Sequence, residues 1–203
     1  MRIRILLTTA LLAAAGTAHA APLEGFGIGG GLASNSLDAE TDFSGYPSSA
    51  NGDDTGGSLF LKGDWMGRSG GFGYRFGLLL QGGNLSTSLF ADDEFEVKRI
   101  ATIDADLGYA APPHFVFGVV ELGSARVAHI DDNYGRTEES VGVAGLGVGY
   151  TYALTDHVEL TAELLGRVLG QLEINYSGGA LDGEHQTVDA TVGSLLLGAS
   201  YRF

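Results

Sequence analysis

The sequence contains no cysteine and only 4 prolines, and it has 11 Lys and Arg but 25 Asp and Glu. The lack of cysteine excludes a disulfide scaffold, a thiolate metal site and a thiol nucleophile. The net charge of −14 argues against nucleic acid as a partner, because an acidic surface repels phosphates. Because 44% of the 203 residues are hydrophobic and only 18% are charged, we nevertheless expect one folded domain.

The sequence also lacks the run of roughly 18 to 20 apolar residues that a transmembrane helix needs. Its apolar stretch Ile5–Ala15 follows two arginines and precedes Ala18-His19-Ala20, which is the pattern of a secretory signal peptide. We predict that residues 1–20 are cleaved and that residues 21–203 are exported. Loss of both arginines changes the net charge to −16. If the exported chain spans a membrane, only a closed β-barrel satisfies all of its backbone groups.

Apolar and polar residues alternate along most of the chain with the period of two that is typical of β-strands. Near the C-terminus, for example, Leu195, Leu197 and Tyr201 alternate with small or polar residues. The pattern predicts eight strands, at about residues 24–34, 57–66, 71–83, 95–109, 115–128, 139–152, 158–173 and 188–203. For 115–128 the pattern does not decide which residues face inward and which face outward. A bulge in that strand would explain its irregular pattern.

The connections between these strands alternate in length. Three are short (about 66–71, 110–114 and 153–157) and four are long (about 35–56, 84–96, 129–139 and 174–188). Outer-membrane barrels have short periplasmic turns and long external loops. We therefore predict an all-β fold, an eight-stranded antiparallel up-and-down transmembrane β-barrel. Its narrow interior explains the 33 glycines, which would make room for larger inward side chains.

These features, together with the segment Leu195-Leu-Leu-Gly-Ala-Ser-Tyr-Arg-Phe203, resemble the small bacterial outer-membrane β-barrels of the OmpA transmembrane-domain and OmpX type. The resemblance implies a monomer in the outer membrane of a Gram-negative bacterium, in contact with the lipid bilayer and lipopolysaccharide. Tyr201 and Phe203 are similar to the terminal aromatic signal that this family presents to the outer-membrane barrel assembly machinery.

Ten charged residues fall on the predicted inward faces: Lys62, Asp64, Arg75, Asp104, Asp106, Glu121, Glu159, Glu163, Arg167 and Arg202. Removing a charge from water costs several kcal/mol, so we expect these residues to form ion pairs. Arg75 with Asp104, and Glu163 with Arg167 or another basic neighbour, are the pairs we predict. Such a network is either structural or part of an ion path or proton relay.

Most of the acidic residues fall in the four long predicted loops. Carboxylates are the ligands that Ca²⁺ and Mg²⁺ prefer, and lipopolysaccharide brings such ions to the cell surface. The candidate divalent-cation residues are Asp92, Asp93, Glu94, Asp131 and Asp132. The alternative is a solvated, repulsive acidic surface.

The sequence offers no recognisable catalytic pattern, and we expect neither a cofactor nor an enzyme. No two of the four exported histidines, His114, His129, His157 and His185, have metal-ligand spacing. We expect an envelope-structural or surface-interaction role through the acidic external loops. The alternatives are a narrow channel for ions or small solutes, an envelope lipid-modifying enzyme, and a soluble periplasmic binding barrel, whose outward faces would be polar.

Overall fold

The computed structural model describes residues 24–43, 49–90, 93–131, 135–175 and 185–203, and the predicted signal peptide lies outside them. The described residues form eight antiparallel strands: β1 (Gly25–Phe43), β2 (Ser49–Ser69), β3 (Phe72–Phe90), β4 (Asp93–Ala111), β5 (His114–Asp131), β6 (Gly135–Ala153), β7 (Val158–Asn175) and β8 (His185–Arg202). Each strand pairs with its neighbours in sequence, and β1 pairs with β8, which closes the ring. The predicted up-and-down barrel is confirmed.

The two ends of the barrel differ. Residues 70–71, 112–113 and 154–157 connect strands at one end, which we call the turn end, and the other end is the loop end. Gly70 has a φ of 63°, a left-handed conformation that glycine adopts without steric cost. No helix in the described ranges is long and apolar enough to cross a membrane.

The outer wall is apolar from the turn end to beyond the middle of each strand. Side chains alternate between the two faces of a strand, so one parity points outward. Leu59, Leu61 and Leu146 are outward and are 65–67% exposed. Exposed aromatic residues lie nearer the turn end: Phe26, Trp65, Phe72, Tyr109, Tyr150, Tyr201 and Phe203. An apolar band with an aromatic girdle is the outer face that a membrane barrel requires.

The predicted loop boundaries 35–56, 84–96 and 129–139 are wrong, because the strands continue through most of these residues. At 174–188 the strands include 174–175 and 185–188, and residues 176–184 lie outside the described residues. The alternation persists there, but the apolar residues now face inward and the polar residues face outward. In β1, Leu37 and Ala39 are buried whereas Asp38 and Glu40 are exposed. Aspartate and glycine are typical of turns, which favoured the loop interpretation. These carboxylates instead lie on the solvent side of a strand whose inner face is apolar.

At the loop end the ring divides into two four-stranded sheets. Within the described residues, the β2–β3 ladder ends at Leu59 and Gly82, and the β6–β7 ladder ends at Val143 and Leu169. The other ladders continue, so β7-β8-β1-β2 form one sheet (sheet I) and β3-β4-β5-β6 form the other (sheet II). Buried apolar side chains fill the space between the sheets, including Leu37, Leu172, Val188 and Val192 from sheet I and Phe95, Val97, Val127 and Val141 from sheet II.

Strand β5, whose parity the sequence left open, is regular. Val116, Val120 and Leu122 point outward, and Phe117 and Glu121 point inward. The irregularity lies in the adjacent strand β4, where the register shifts between Val97 and Arg99. The bulge is therefore in β4, next to the strand where the sequence suggested it.

Candidate functional site

The inside of the barrel contains three layers of charged side chains. All ten residues that the sequence placed inside are buried there. From the turn end, the first layer holds Asp64, Glu159 and Arg202, the second holds Lys62, Arg75, Asp104, Asp106 and Glu163, and the third holds Glu121 and Arg167. Phe60, Leu165 and Leu196 are buried between the second and third layers.

Arg202 organises the first layer. Its guanidinium makes two 2.8 Å hydrogen bonds to the two carboxylate oxygens of Glu159 and one of 2.9 Å to Asp64. It also donates to the backbone carbonyl of Gly25 at 2.7 Å. Bidentate arginine–carboxylate pairs are strong and geometrically specific. This layer therefore joins β8, β7, β2 and β1 near the point where the ring closes.

Arg75 is the centre of the second layer. It donates to Asp106 at 2.6 Å and to Glu163 at 2.8 Å, and its guanidinium lies 4.5 Å from the centre of the Phe117 ring. Lys62 bridges to Glu163 at 2.8 Å and lies 3.0 Å from Asp104. The predicted partner of Arg75, Asp104, is wrong: Asp106 directly opposes Arg75 in the β3–β4 register, whereas Asp104 opposes Gly77.

The third layer combines one ion pair with uncharged polar groups. Arg167 pairs with Glu121 and donates to Gln81 at 3.0 Å and to Ser194 at 2.7 Å. Glu163, predicted to pair with Arg167 or another basic neighbour, pairs with two other basic neighbours, Lys62 and Arg75. Gln81 and Ser194 both donate to Asn35 at 2.7 Å. Asn35, Gln81 and Ser194 were not predicted as members of this network, although each lies on an inward parity.

Glycines on the inner face leave room for these charged groups. A Cβ atom at Gly145 would lie 2.5 Å from the carboxylate of Glu121. One at Gly77 would lie 2.8 Å from the carboxylate of Asp104. Such distances are far below van der Waals contact, so a side chain at either position would displace the carboxylate.

The interior is filled at the level of the second layer. The cavity beside Lys62, Arg75 and Glu163 has a volume of about 20 Å³, which is enough for about one water molecule. Toward the loop end, the apolar cluster between sheets I and II follows the third layer. Charged and apolar layers therefore alternate along the barrel axis.

The outer face of sheet I is acidic. Residues 34–58 and 170–195 contain neither Lys nor Arg. Asp38 directly opposes Asp53 on β2, and Glu40 directly opposes Asp189 on β8. Like charges in directly opposed positions repel. The protruding part of sheet I thus concentrates uncompensated negative charge on one side of the molecule.

The outer face of sheet II carries a basic patch, formed by Lys98, Arg99, Arg126 and Arg136. Glu138 accepts hydrogen bonds from three of them, including 3.1 Å from Arg126 and 2.8 Å from Arg136. These bonds, from Lys98 first and then Arg126, lower the pKa of the Glu138 carboxyl to about 2. The patch was not predicted from the sequence, because its residues come from three strands. The one signal of the patch in the sequence is Arg99, which falls on the outward face of a strand whose preceding outward residues are apolar.

The candidate divalent-cation residues are only partly described. Asp92 and Asp132 lie outside the described residues. Asp93 directly opposes Asp131 across the β4–β5 ladder and lies 3.6 Å from the ring of the buried His129. Among the residues that the structure describes, no group of three or more His, Asp or Glu could hold a metal ion.

The C-terminal aromatic residues lie on the outer surface at the turn end. Tyr201 is 47% and Phe203 is 71% exposed, and their rings make an edge contact with centres 5.1 Å apart. Phe203 also contacts Phe26 on β1 at 6.3 Å, and its backbone NH donates to the Phe26 carbonyl. The pair therefore belongs to the girdle next to the β1–β8 closure.

A comparison with protein-family models identifies the chain. The model of the outer membrane protein beta-barrel domain matches residues 5–203, and the chain belongs to this family. The protein is therefore an outer-membrane β-barrel of a Gram-negative bacterium. In such barrels the short turns face the periplasm, so the loop end is extracellular.

Several solved structures of outer-membrane barrels are similar to this chain. Ail, the attachment invasion locus protein of Yersinia pestis, is 15% identical, with a TM-score of 0.46 over 89% of this chain and 100% of that one. OprG from Pseudomonas aeruginosa is 13% identical, with a TM-score of 0.49 over 92% and 98%. The outer membrane protease OmpT from Escherichia coli is 8% identical, with a TM-score of 0.45 over 93% and 100%. Curated proteins yield no significant match.

Proposed function

We propose that this protein is a non-enzymatic, non-conducting barrel that presents a charged surface outside the cell. The observation that carries the proposal is the arrangement of sheet I, which is acidic on its outer face and packed on its inner face against sheet II. The sealed interior makes the barrel a rigid support, and the protruding sheet is the part that meets other molecules. The role is surface interaction with cationic partners.

The electrostatics of sheet I support a cationic partner. Asp38 with Asp53, and Glu40 with Asp189, are held opposite one another by the ladder and cannot separate. A positively charged partner would relieve this repulsion, and an acidic surface raises the rate of encounter with such a partner. The attraction should weaken as salt increases, because these charges are exposed.

The placement of the histidines supports a non-enzymatic role. His114 and His157 lie at the turn end, where they bond to the Tyr150 hydroxyl and the Arg202 carbonyl. His129 and His185 lie at the loop end, on different strands. No two of them are placed to act together as general acid and base.

The surface-interaction function is tested with the folded full-length barrel in nonionic detergent micelles. A lysine-rich peptide and its glutamine-substituted analogue are titrated against the wild type and against the triple variant Asp38→Asn/Asp53→Asn/Asp189→Asn. Asp156→Asn, in a periplasmic turn, is the matched control. We expect the lysine peptide to bind the wild type and the control alike, and the triple variant about tenfold more weakly. Equal binding of the triple variant, or equal binding of the uncharged peptide, would contradict the proposal.

The remaining partners that we propose follow from the outer wall. The apolar band would contact the bilayer, and the extracellular rim would contact lipopolysaccharide. Tyr201 and Phe203 would be recognised by the barrel assembly machinery before the strand is incorporated. Each contact involves the outer surface alone, which is consistent with a monomeric barrel.

A narrow cation channel is the second candidate function. The ten charged residues of the three layers comprise six carboxylates and four basic side chains, so any permeating ion would meet surplus negative charge. In the described part of the chain, Oδ1 of the buried Asp104 has no hydrogen-bond partner, whereas Oδ2 lies 3.0 Å from Lys62 Nζ. Conductance in planar bilayers separates the two candidates, because only a channel gives current steps.

A further inference from the structure

The basic patch on sheet II contains every basic residue of the outer face beyond the rim of the turn end. Of the nine Lys and Arg beyond residue 20, four are in the interior and Arg68 lies at the rim of the turn end. The remaining four, Lys98, Arg99, Arg126 and Arg136, lie together on β4, β5 and β6. A clustered positive charge on an otherwise acidic protein indicates an anionic ligand.

The patch begins where the apolar band ends. Along β4 the outward residues are Tyr109, Leu107 and Ile103 before Arg99, and on β5 Arg126 directly opposes Arg99. Tyr109 opposes Val116 in the same ladder, ten residues toward the turn end on each strand. Ten residues of a strand tilted by about 40° rise about 25 Å, which is the height of the apolar band in outer-membrane barrels. Arg99 and Arg126 therefore lie at the level of the outer-leaflet headgroups.

Arg99 and Arg126 are also incompletely neutralised. Directly opposed like charges destabilise a β-ladder. Glu138 binds Arg126 at 3.1 Å, but the Arg99 side chain has no ion-pair or hydrogen-bond partner in the described part of the chain. An anion between the two guanidinium groups would relieve the repulsion. Arginine forks match the oxygens of a phosphate particularly well.

An apolar groove leads to the same place. The groove is shallow and open, and it crosses the outer wall from β1 to β5, with Leu32, Leu59, Leu61, Leu80 and Gly82 along it and Arg99 at its edge. Gly82 directly opposes Arg99, and a Cβ atom there would meet nothing within 4 Å. The outer wall thus has no side chain at Gly82 beside the cation, which leaves space for a hydrocarbon chain attached to an anionic headgroup.

We propose that Arg99 and Arg126 bind a phosphate of lipid A, with one of its acyl chains in the groove beside Gly82. Lipid A is the phosphorylated, acylated anchor of lipopolysaccharide and occupies the extracellular leaflet, which is the leaflet at this height. Lys98 and Arg136 lie toward the cell exterior and are neutralised there, because Glu138 binds both and Glu96 binds Arg136 at 2.7 Å. The site does not involve sheet I, so the proposal of a lipid A site can fail while the proposal of a cationic partner holds, and the reverse.

The test uses the folded full-length barrel in nonionic detergent micelles with EDTA, so that divalent cations cannot bridge acidic groups to lipid. Diphosphoryl lipid A, its dephosphorylated form and phosphatidylglycerol are titrated against wild type, Arg99→Gln, Arg99→Gln/Arg126→Gln and the control Arg68→Gln. We expect diphosphoryl lipid A to bind wild type and Arg68→Gln equally, and the double variant about tenfold or more weakly. Arg99→Gln should fall between them.

Three results would overturn the proposal. These are equal lipid A binding by the double variant, equal binding of dephosphorylated lipid A, and equally tight binding of phosphatidylglycerol, which would make the site a general anionic-lipid surface. Heat-dependent migration on a denaturing gel establishes that each variant is folded. If the double variant does not fold, Arg99→Gln decides the outcome, because the Arg99 side chain makes no ion pair or hydrogen bond within the described residues.

Discussion

Arg75 and Glu163 form a 2.8 Å ion pair across the barrel. The two residues lie on β3 and β7, which are four strands apart in a ring of eight and therefore on opposite walls. A direct bond between opposite walls crosses the lumen at that height. Lys62 binds the same Glu163 oxygen at 2.8 Å, which reinforces the crosslink from β2.

Removing the Arg75 charge should destabilise the barrel strongly. We expect Arg75→Gln to lower the free energy of unfolding by about 3–5 kcal/mol, because it leaves buried carboxylates without their main partner. Urea unfolding in lipid vesicles or micelles measures the change. The control is Arg68→Gln, whose 3.2 Å pair with Glu24 is exposed and should contribute about 0–1 kcal/mol. Equal effects of the two substitutions would show that the interior pair does not stabilise the barrel.

A side chain at Gly145 should disturb the third charged layer. Gly145→Val would force the Glu121 carboxylate away from Arg167, because its Cβ would lie 2.5 Å from that carboxylate. We expect a loss of about 1–3 kcal/mol in unfolding experiments, as for other overpacked interiors. Gly142→Val on the same strand is the control, since a Cβ there has nothing within 4 Å. If both variants unfold alike, the glycine is not needed for the charged layer.

The basic patch should give Glu138 an unusual titration. Hydrogen bonds from Lys98, Arg126 and Arg136 favour the carboxylate and lower its pKa from 4.5 to about 2. A carboxyl group whose pKa is lower in the folded state stabilises the protein above pH 4.5, and this contribution disappears as the pH falls toward 2. Carboxyl ¹³C resonances of the folded barrel, assigned with Glu138→Gln, follow the titration. A midpoint near 4.5 would contradict the hydrogen-bonded arrangement.

Removal of the Phe203 ring should impair assembly. The ring is exposed on the outer wall and contacts Tyr201, so it contributes little to the interior and is available for recognition. We expect Phe203→Ala to reduce the folded protein in outer-membrane fractions severalfold. Phe72→Ala, which removes another exposed girdle ring, is the control and should have a smaller effect. Unchanged levels of the Phe203 variant would refute the recognition of this residue by the assembly machinery.

The sequence predicted the barrel and its interior charges well, because both depend on period-two alternation. Alternation along each strand was enough to place Lys62 and Arg75 inside, because each lies on the inward face of its own strand. To predict which interior charges pair, the register between neighbouring strands must be known, and the alternation along one strand does not give it. Arg75 opposes Asp106, which is two residues from the predicted Asp104. The register depends on turn geometry and on packing across strands that are distant in sequence.

The sequence predicted the loop end poorly for a physical reason. Strand recognition relied on an apolar outward face, and this face becomes acidic where the strands leave the bilayer. At Leu37–Glu40 the alternation continues, but the inward residues are now the apolar ones. The basic patch was missed because Lys98, Arg126 and Arg136 meet only after β4, β5 and β6 are placed side by side.

Single-channel recording in planar bilayers tests the central claim most directly. Purified wild-type barrel, folded by the criterion of heat-dependent gel migration, is incorporated at both polarities in potassium chloride. A lumen crossed by the Arg75–Glu163 pair and filled by the apolar cluster should give no current steps above the lipid baseline. Reproducible steps that appear with folded protein and vanish when the same sample is boiled would contradict the account of a sealed, surface-presenting barrel.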